Sequence, residues 1–450
     1  MARVESANAD LQAEDGAPGA SPEALSRGEA QLRWKLTLRL VAPITLLIIL
    51  NSLDRVNVSF AALRMNQELG LSPQAYGFGV SIFFLGYILL QFPHAMSQRR
   101  LGARRWIFLT AFAWGVVAAS LAFIRDARAF YALRFLLGAT EGGLAPGMLY
   151  YLSQWTPRRL RGFAAAGTML AVPISVVLGG PLSGWLMAMH DNPAGLAGWR
   201  WMFLIEGAAP IVLAFVSLVI FKERLEDAGW LSAAEKRSLR AELDREAAEL
   251  EHRHAVRLAD TLRQPGLWGS IVLWFCLMSG AYGLLFWLPM VIKQMSSVSD
   301  AHASALSALP WVGIGAGMML NAWHSDRTQE RTWHFAVPAG IAALFLAAAA
   351  TVPAGWPALV CILVGATAMG SAQGVFWAIP TSFLGGAAAA AGVTVINIMG
   401  NSAGVVTPPL FGWLRQATGS FQPPIYAMAA LMLVAAVTAV PLGRWAKARL

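Results

Sequence analysis

Twelve stretches of this chain stay apolar for about twenty residues or more, each long enough to cross the roughly 30 Å hydrocarbon layer of a bilayer. They cover approximately residues 38–62, 75–97, 104–124, 128–153, 161–189, 199–221, 266–292, 303–323, 333–352, 357–383, 388–414 and 424–446. In lipid a backbone must satisfy its own hydrogen bonds, so runs of this length form helices. The expected fold is an all-α membrane protein. Charged residues make up 13% of the 450-residue chain, about half the share usual in soluble domains, which agrees with this class.

Lys and Arg orient the spans. With the N-terminus in the cytoplasm, loops and tails on that side hold 26 of the 34 Lys and Arg, and the opposite side holds six. The formal charge of +9 is therefore explained by membrane-facing loops, without a nucleic-acid partner. Both termini are expected to be cytoplasmic in a plasma (inner) membrane, and the partners to be lipid and a small solute, with a monomer as the working unit. Residues 1–37 are polar and lack a signal-peptide pattern, and are read as a disordered cytoplasmic tail. Residues 223–265 are the long polar connection. There SAAE places Ser232 as N-cap and Glu235 at N3 of a helix running to about Ala259. The chain thus divides into a six-helix bundle over 38–222, a linker over 223–265 and a second six-helix bundle over 266–450. SQRRLGARR at 97–105 and SDRTQER at 325–331 echo each other after the second helix of each half.

Charges inside the spans are few. A charge at membrane depth costs at least about 2.5–3.5 kcal/mol, which makes each a candidate for function. Asp54 and Arg55 interrupt the first span, and Arg134 and Glu141 lie seven residues apart in the fourth. At 1.5 Å per residue Asp54 and Arg55 lie roughly 22–24 Å above Arg39, while Arg134 and Glu141 lie about 9 and 20 Å below the outer edge. For a layer of roughly 35 Å, all four fall within about 10 Å in depth, and Arg134, Gly138 and Glu141 share one helix face. Two bland readings stand beside this one: Asp54–Arg55 as a solvated helix end, and Arg134–Glu141 as a structural ion pair. Glu206, near the start of its helix, reads as structural through the field of a helix N-terminus. His94, beside Pro93, also reads as structural.

The chemistry of these four suits anion transport. Guanidinium stays charged and presents a planar fork that matches a carboxylate, so Arg55 and Arg134 suit an anionic substrate. Burial favours the protonated form of an acid and a nearby arginine the ionised form. These opposed influences let Asp54 or Glu141 exchange protons near neutral pH. The spans of the second half offer uncharged candidates: Tyr282, Gln373, Asn397 and Asn401, with Trp287 and Trp377 as aromatic walls. Asn397 and Asn401 share a face and serve equally well as interhelical hydrogen-bonding residues. No metal-ligand spacing and no GxxxxGK[ST] phosphate loop occurs, so neither an ATP-driven pump, a metal site nor any cofactor is expected; no catalytic constellation for an enzyme is present. GIGAG at 313–317 lies mid-span and reads as close helix packing. Cys276 and Cys361 lie in apolar runs and read as small core residues.

SDRTQER resembles the loop signature of the major facilitator superfamily, although the first-half copy lacks the usual Asp. LDRVN at 53–57, RFLLGATEGGLAPGMLYYLSQW at 134–155, GGPLSGW at 179–185, WRWMFLIEG at 199–207, FWLP at 286–289, FWAIPTSFLGG at 376–386 and NIMGNSAGVVTPPLFGWL at 397–414 are similar to its anion/cation symporter branch. Within that branch the likeness is to tartrate-, phthalate- and hydroxyphenylacetate-type carriers, and it runs from about residue 38 to the end. It implies two pseudo-symmetric six-helix bundles and proton-coupled symport of a small organic carboxylate by alternating access, with Asp54 and Glu141 as proton sites and Arg55 and Arg134 engaging substrate. An exchanger or efflux carrier on the same fold, or a non-transporting sensor, are the alternatives. Ser52 stands where the pattern has Tyr, which implies more room in the cavity wall.

Overall fold

The computed structural model describes residues 22–157, 171–189, 194–251, 261–296, 298–384 and 386–448. It is helical, with no strand among the described residues. In chain order the helices are α1 Pro22–Leu36, α2 Ala42–Glu68, α3 Pro73–Leu101, α4 Ala103–Ser120, α5 Ala127–Glu141, α6 Leu144–Ser153, α7 Ala171–Met187, α8 Gly198–Ile220 and α9 Ala233–Glu251. There follow α10 Pro265–Met295, α11 Asp300–Leu306, α12 Leu309–Thr328, α13 Thr332–Thr351, α14 Trp356–Phe376, α15 Ala378–Phe383, α16 Gly386–Asn401, α17 Ala403–Thr418 and α18 Gln422–Lys447. Each apolar stretch falls mainly on helix wherever it is described, with short turns such as those at 142–143 and 307–308 inside some of them. Nine helical runs among the described residues are long and apolar enough to cross a membrane.

Proline explains where the long runs bend. Pro43 cannot donate to the Arg39 carbonyl and its ring would crowd it; the chain widens into a π-turn over Thr37–Val41, with the Ala42 N–H bonded to the Thr37 carbonyl. Pro146 stands in the same relation to Gly142, and there the expected fourth span divides into α5 and α6. Pro380 does likewise to Phe376, between α14 and α15.

One expectation is corrected. The tail is not disordered throughout: α1 runs from Pro22 and continues through the π-turn into α2. Leu32 and Leu36 are buried, and Lys35 Nζ lies 2.8 Å from Glu235 Oε1 on α9, so apolar burial and an ion pair hold its C-terminal part. Residues 1–21 lie outside the described residues. The SAAE box forms as expected: the Ser232 N–H donates to Glu235 Oε2 at 2.7 Å, and the Glu235 N–H to Ser232 Oγ at 3.2 Å. Helix α9 is described to Glu251; its expected continuation to Ala259 lies outside.

Packing places the site. Before the linker, α3 packs on α5, α4 on α8, and α2 on α7; after it, α14 packs on α12 and α13, and α13 on α18. The two sets meet where α3 touches α17, α2 touches α10, and α7 touches α11 and α12. Helix α10 is the most enclosed of the apolar runs, whereas Val219, Leu344 and many other large apolar side chains face outward as a lipid-facing belt should. GIGAG packs closely, as expected: a Cβ on Gly317 would lie 2.5 Å from the Thr367 carbonyl oxygen of α14. At the end away from the linker, Asp300 of α11 pairs with Arg64 of α2 and, at 2.9 Å, with Lys293 of α10. Among the described residues this is the ion pair that joins the two sets directly. At the linker end Glu223 accepts from the N–H groups of Ala103 and Arg104 at 3.0 and 2.9 Å, capping α4.

Candidate functional site

The middle of α2 carries Asn51, Ser52, Asp54, Arg55 and Asn57, all buried except Arg55, which is partly exposed. Successive helix residues project about 100° apart, so Asp54 and Arg55 serve different neighbourhoods. Arg55 turns towards α3 and α5. Its Nη2 lies 3.9 Å from Glu141 Oε2 and donates to Asn51 Oδ1 at 3.4 Å, and its guanidinium stands 5.0 Å from the ring centre of Tyr87. Arg134 is completely buried; its Nε donates to the Gly79 carbonyl at 3.4 Å and its guanidinium lies 4.6 Å over Phe83. Phe83 is also within 5.6 Å of Arg55, so one aromatic face serves two cations. Neither carboxyl oxygen of Glu141 and neither terminal nitrogen of Arg134 has a hydrogen-bond partner. These charges are close to one another yet sparsely bonded, an arrangement sensitive to any added ion.

Asp54 faces the other way. It accepts from Asn57 Nδ2 at 2.9 Å and from Trp114 Nε1 of α4. The sequence-predicted cluster is therefore present in depth but divided by face, with Glu141 and Arg134 on the Arg55 side. Glu206 is the ninth residue of α8, about 12 Å from its start and beyond the first turn over which a helix dipole acts. It accepts from Ser183 Oγ at 2.8 Å and lies near Asp54 and Asn57, so the helix-terminus reading does not hold. His94 contacts the Ala139 carbonyl through Nε2 at 2.7 Å and stands edge-on to Trp106, a packing role.

Among the described residues, cavities between the two sets of helices include three that are lined from both. A central one of about 170 Å³ is walled by Ser52, Arg55, Tyr282, Trp311, Gln373 and Asn401. Behind it Tyr282 Oη donates to Asn401 Oδ1 at 2.7 Å, and Asn401 Nδ2 donates to the Asn397 carbonyl at 2.9 Å. A second cavity of about 300 Å³, near Asp300, is lined by Asn66, Trp287, Lys293 and Arg415. A third of about 400 Å³, towards the linker, is lined by Gln98, Arg99, Tyr150 and Thr394. Of the second-half candidates, Tyr282, Gln373 and Asn401 reach the central cavity, with Asn397 one bond behind. Trp287 stands edge-on to Tyr76 at 5.2 Å, and Trp377 packs on Trp274 at 5.0 Å; neither lines it. Trp311 does line it; a tryptophan in an apolar run beside GIGAG carries no signal of its own, so it is not among the sequence candidates.

An all-helical, multi-pass membrane protein with buried charges beside a cavity shared by two helix sets belongs to the class of solute carriers. The Major Facilitator Superfamily profile matches residues 44–408, and the chain belongs to that family of transporters; it is not an enzyme. A protein of Agrobacterium vitis named "Putative tartrate transporter" is 40% identical over 93% of this chain and 96% of its own length. A "Quinolone resistance transporter" of Acinetobacter baumannii is 33% identical over 88% of this chain and 92% of its own. Among solved structures, a bacterial homologue of the human lysosomal transporter Spinster superposes with a TM-score of 0.76, covering 90% of this chain and 96% of that one. At 16% identity it supports the fold.

Proposed function

We propose that this transporter is a proton-coupled symporter of a small organic carboxylate, set in a bacterial inner membrane with both termini cytoplasmic. It works by alternating access of the helices over 38–222 against those over 266–450, in the manner of doubled carriers whose site lies between the repeats. The observation that carries this reading is Arg55. Among the described residues it is the one charged wall of the central cavity, and its contact with Glu141 is long, at 3.9 Å. An arriving carboxylate engages the guanidinium fork, the hold of Arg55 on Glu141 weakens, and Glu141 takes a proton. Anion and proton then share the cavity as a less charged unit, and leave together when the far side opens. Tyr282, Gln373 and Asn401 face the rest of the substrate. The name of the Agrobacterium vitis relative supports the carboxylate class.

Purified protein in liposomes, acid outside, should accumulate a carboxylate from a panel spanning sugar acids to aromatic acids. If none moved, symport would be wrong. The Acinetobacter baumannii relative favours a second reading, efflux or exchange; counterflow without pH-driven accumulation would select it. Glu141→Gln should abolish accumulation while leaving counterflow intact. A monoanion carried with one proton moves no net charge, whereas a second proton adds about 2.3 kcal/mol per 100 mV of drive.

A further inference from the structure

On the side of α2 away from Arg55, side chains from four helices meet where little solvent reaches. Asp54 and Asn57 come from α2, Ser183 from α7, Glu206 from α8 and Trp114 from α4, each no more than 5% exposed. Their bonds are nearly complete. Asp54 accepts from both Asn57 Nδ2 and Trp114 Nε1, and Glu206 Oε1 accepts from Ser183 Oγ. Two atoms are left over: Glu206 Oε2 and Asn57 Oδ1 have no hydrogen-bond partner. Glu206 lies close enough to Asp54 and Asn57 to interact with both.

With Glu206 ionised, both leftover atoms are acceptors and neither can serve the other. A proton on Oε2 supplies the donor that the Asn57 amide oxygen lacks, on a side chain that already interacts with Asn57. Charge leads to the same place. Asp54 already accepts two hydrogen bonds, from Asn57 Nδ2 and Trp114 Nε1. Glu206 is faced by Asp54 and Asn57 from α2, by Ser183 from α7, and by no cation from α4, α7 or the turn Leu121–Phe123 among the described residues. Two unpaired anions side by side in an apolar interior are strongly disfavoured.

We propose that Glu206 is a third proton-holding acid of the transport cycle, sharing one proton with Asp54 across the Asn57 amide. The amide gives its N–H to whichever acid is ionised and its carbonyl to whichever is protonated. The two arrangements hold the same single proton and single negative charge; they differ by a half-turn of the amide together with transfer of that proton from one carboxyl to the other. The place of this pair in the cycle rests on the symport reading; the shared proton itself does not.

Infrared difference spectroscopy of the full chain in nanodiscs, titrated between about pH 5 and pH 9, reads protonated carboxyls directly. E206Q, a neutral isostere, should remove one protonated-carboxyl band from the neutral-pH spectrum. It should also move the alkaline limb of the counterflow pH profile down by about one unit, since a like charge is gone. D54N is the second arm, readable if E206Q fails to fold: its remaining band should vanish at a lower pH than in the wild type. A uniform loss of transport, with the band intact and the limb unmoved, is what a packing role gives and would overturn the proposal. The infrared arm needs no transport, so a wild type that fails to accumulate substrate refutes symport while the spectra still decide the pair.

Discussion

At the scale of single residues, the cavity wall sets two expectations. Arg55→Lys keeps the charge but loses the fork and the planar stacking face beside Tyr87. Carboxylate affinity, measured by calorimetry on the purified protein, should fall by about tenfold, roughly 1.4 kcal/mol; unchanged affinity would remove Arg55 from the substrate site. Ser52→Tyr places a phenol against a cavity of about 170 Å³. It should narrow the carboxylate panel towards smaller members in a competition-uptake assay, and an unchanged panel would show that position 52 does not set size. These residues were legible in part. Depth arithmetic brings Asp54, Arg55, Arg134 and Glu141 to one level, because rise per residue is fixed. Which neighbour each side chain meets depends on helix rotation, and that is set by tertiary packing. So the separation of Asp54 from Arg55, and the company Glu206 keeps, were out of reach of the sequence.

At the scale of elements, helix ends and bends were the most readable features, since local chemistry decides them. The Ser232–Glu235 box is closed within four residues, and Pro43, Pro146 and Pro380 each disturb the carbonyl four positions back. Less readable was α1, whose order comes from a partner 200 residues away: Lys35 donates to both Glu235 oxygens, at 2.8 and 3.0 Å. Partial burial, the largest single influence, works against the charge on Glu235. The Lys35 and Ser232 hydrogen bonds outweigh it and hold the carboxyl below the usual range. A depressed acid contributes stability above its unfolded-state value, and that contribution is lost as pH falls through the folded one. Limited proteolysis should therefore find α9 protected at neutral pH and increasingly cleaved below about pH 4. Lys35→Gln should expose it already at neutral pH, and equal cleavage of both proteins would place the docking elsewhere.

At the scale of the whole molecule, Asp300 ties the two sets of helices at the end away from the linker. Exposed pairs are worth about 0–1 kcal/mol in stability, but even that shifts an opening equilibrium by up to about fivefold. In Asp300→Asn, a cysteine introduced at Asn66 in the neighbouring cavity should be alkylated several-fold faster, provided that the two native cysteines are replaced; an equal rate would remove Asp300 from gating. The enclosure of α10 carries a different consequence, for how the chain is made. Its sequence is apolar enough to enter a bilayer alone, yet it finishes packed against α2, made long before it, and α16, α17 and α18, made after it. Insertion and enclosure are therefore separate events. During synthesis α10 waits in lipid, half-sheltered, until the last helix has emerged. A ribosome stalled before α18 leaves that flank bare, and quality control would recognise it before any loss of transport could be measured.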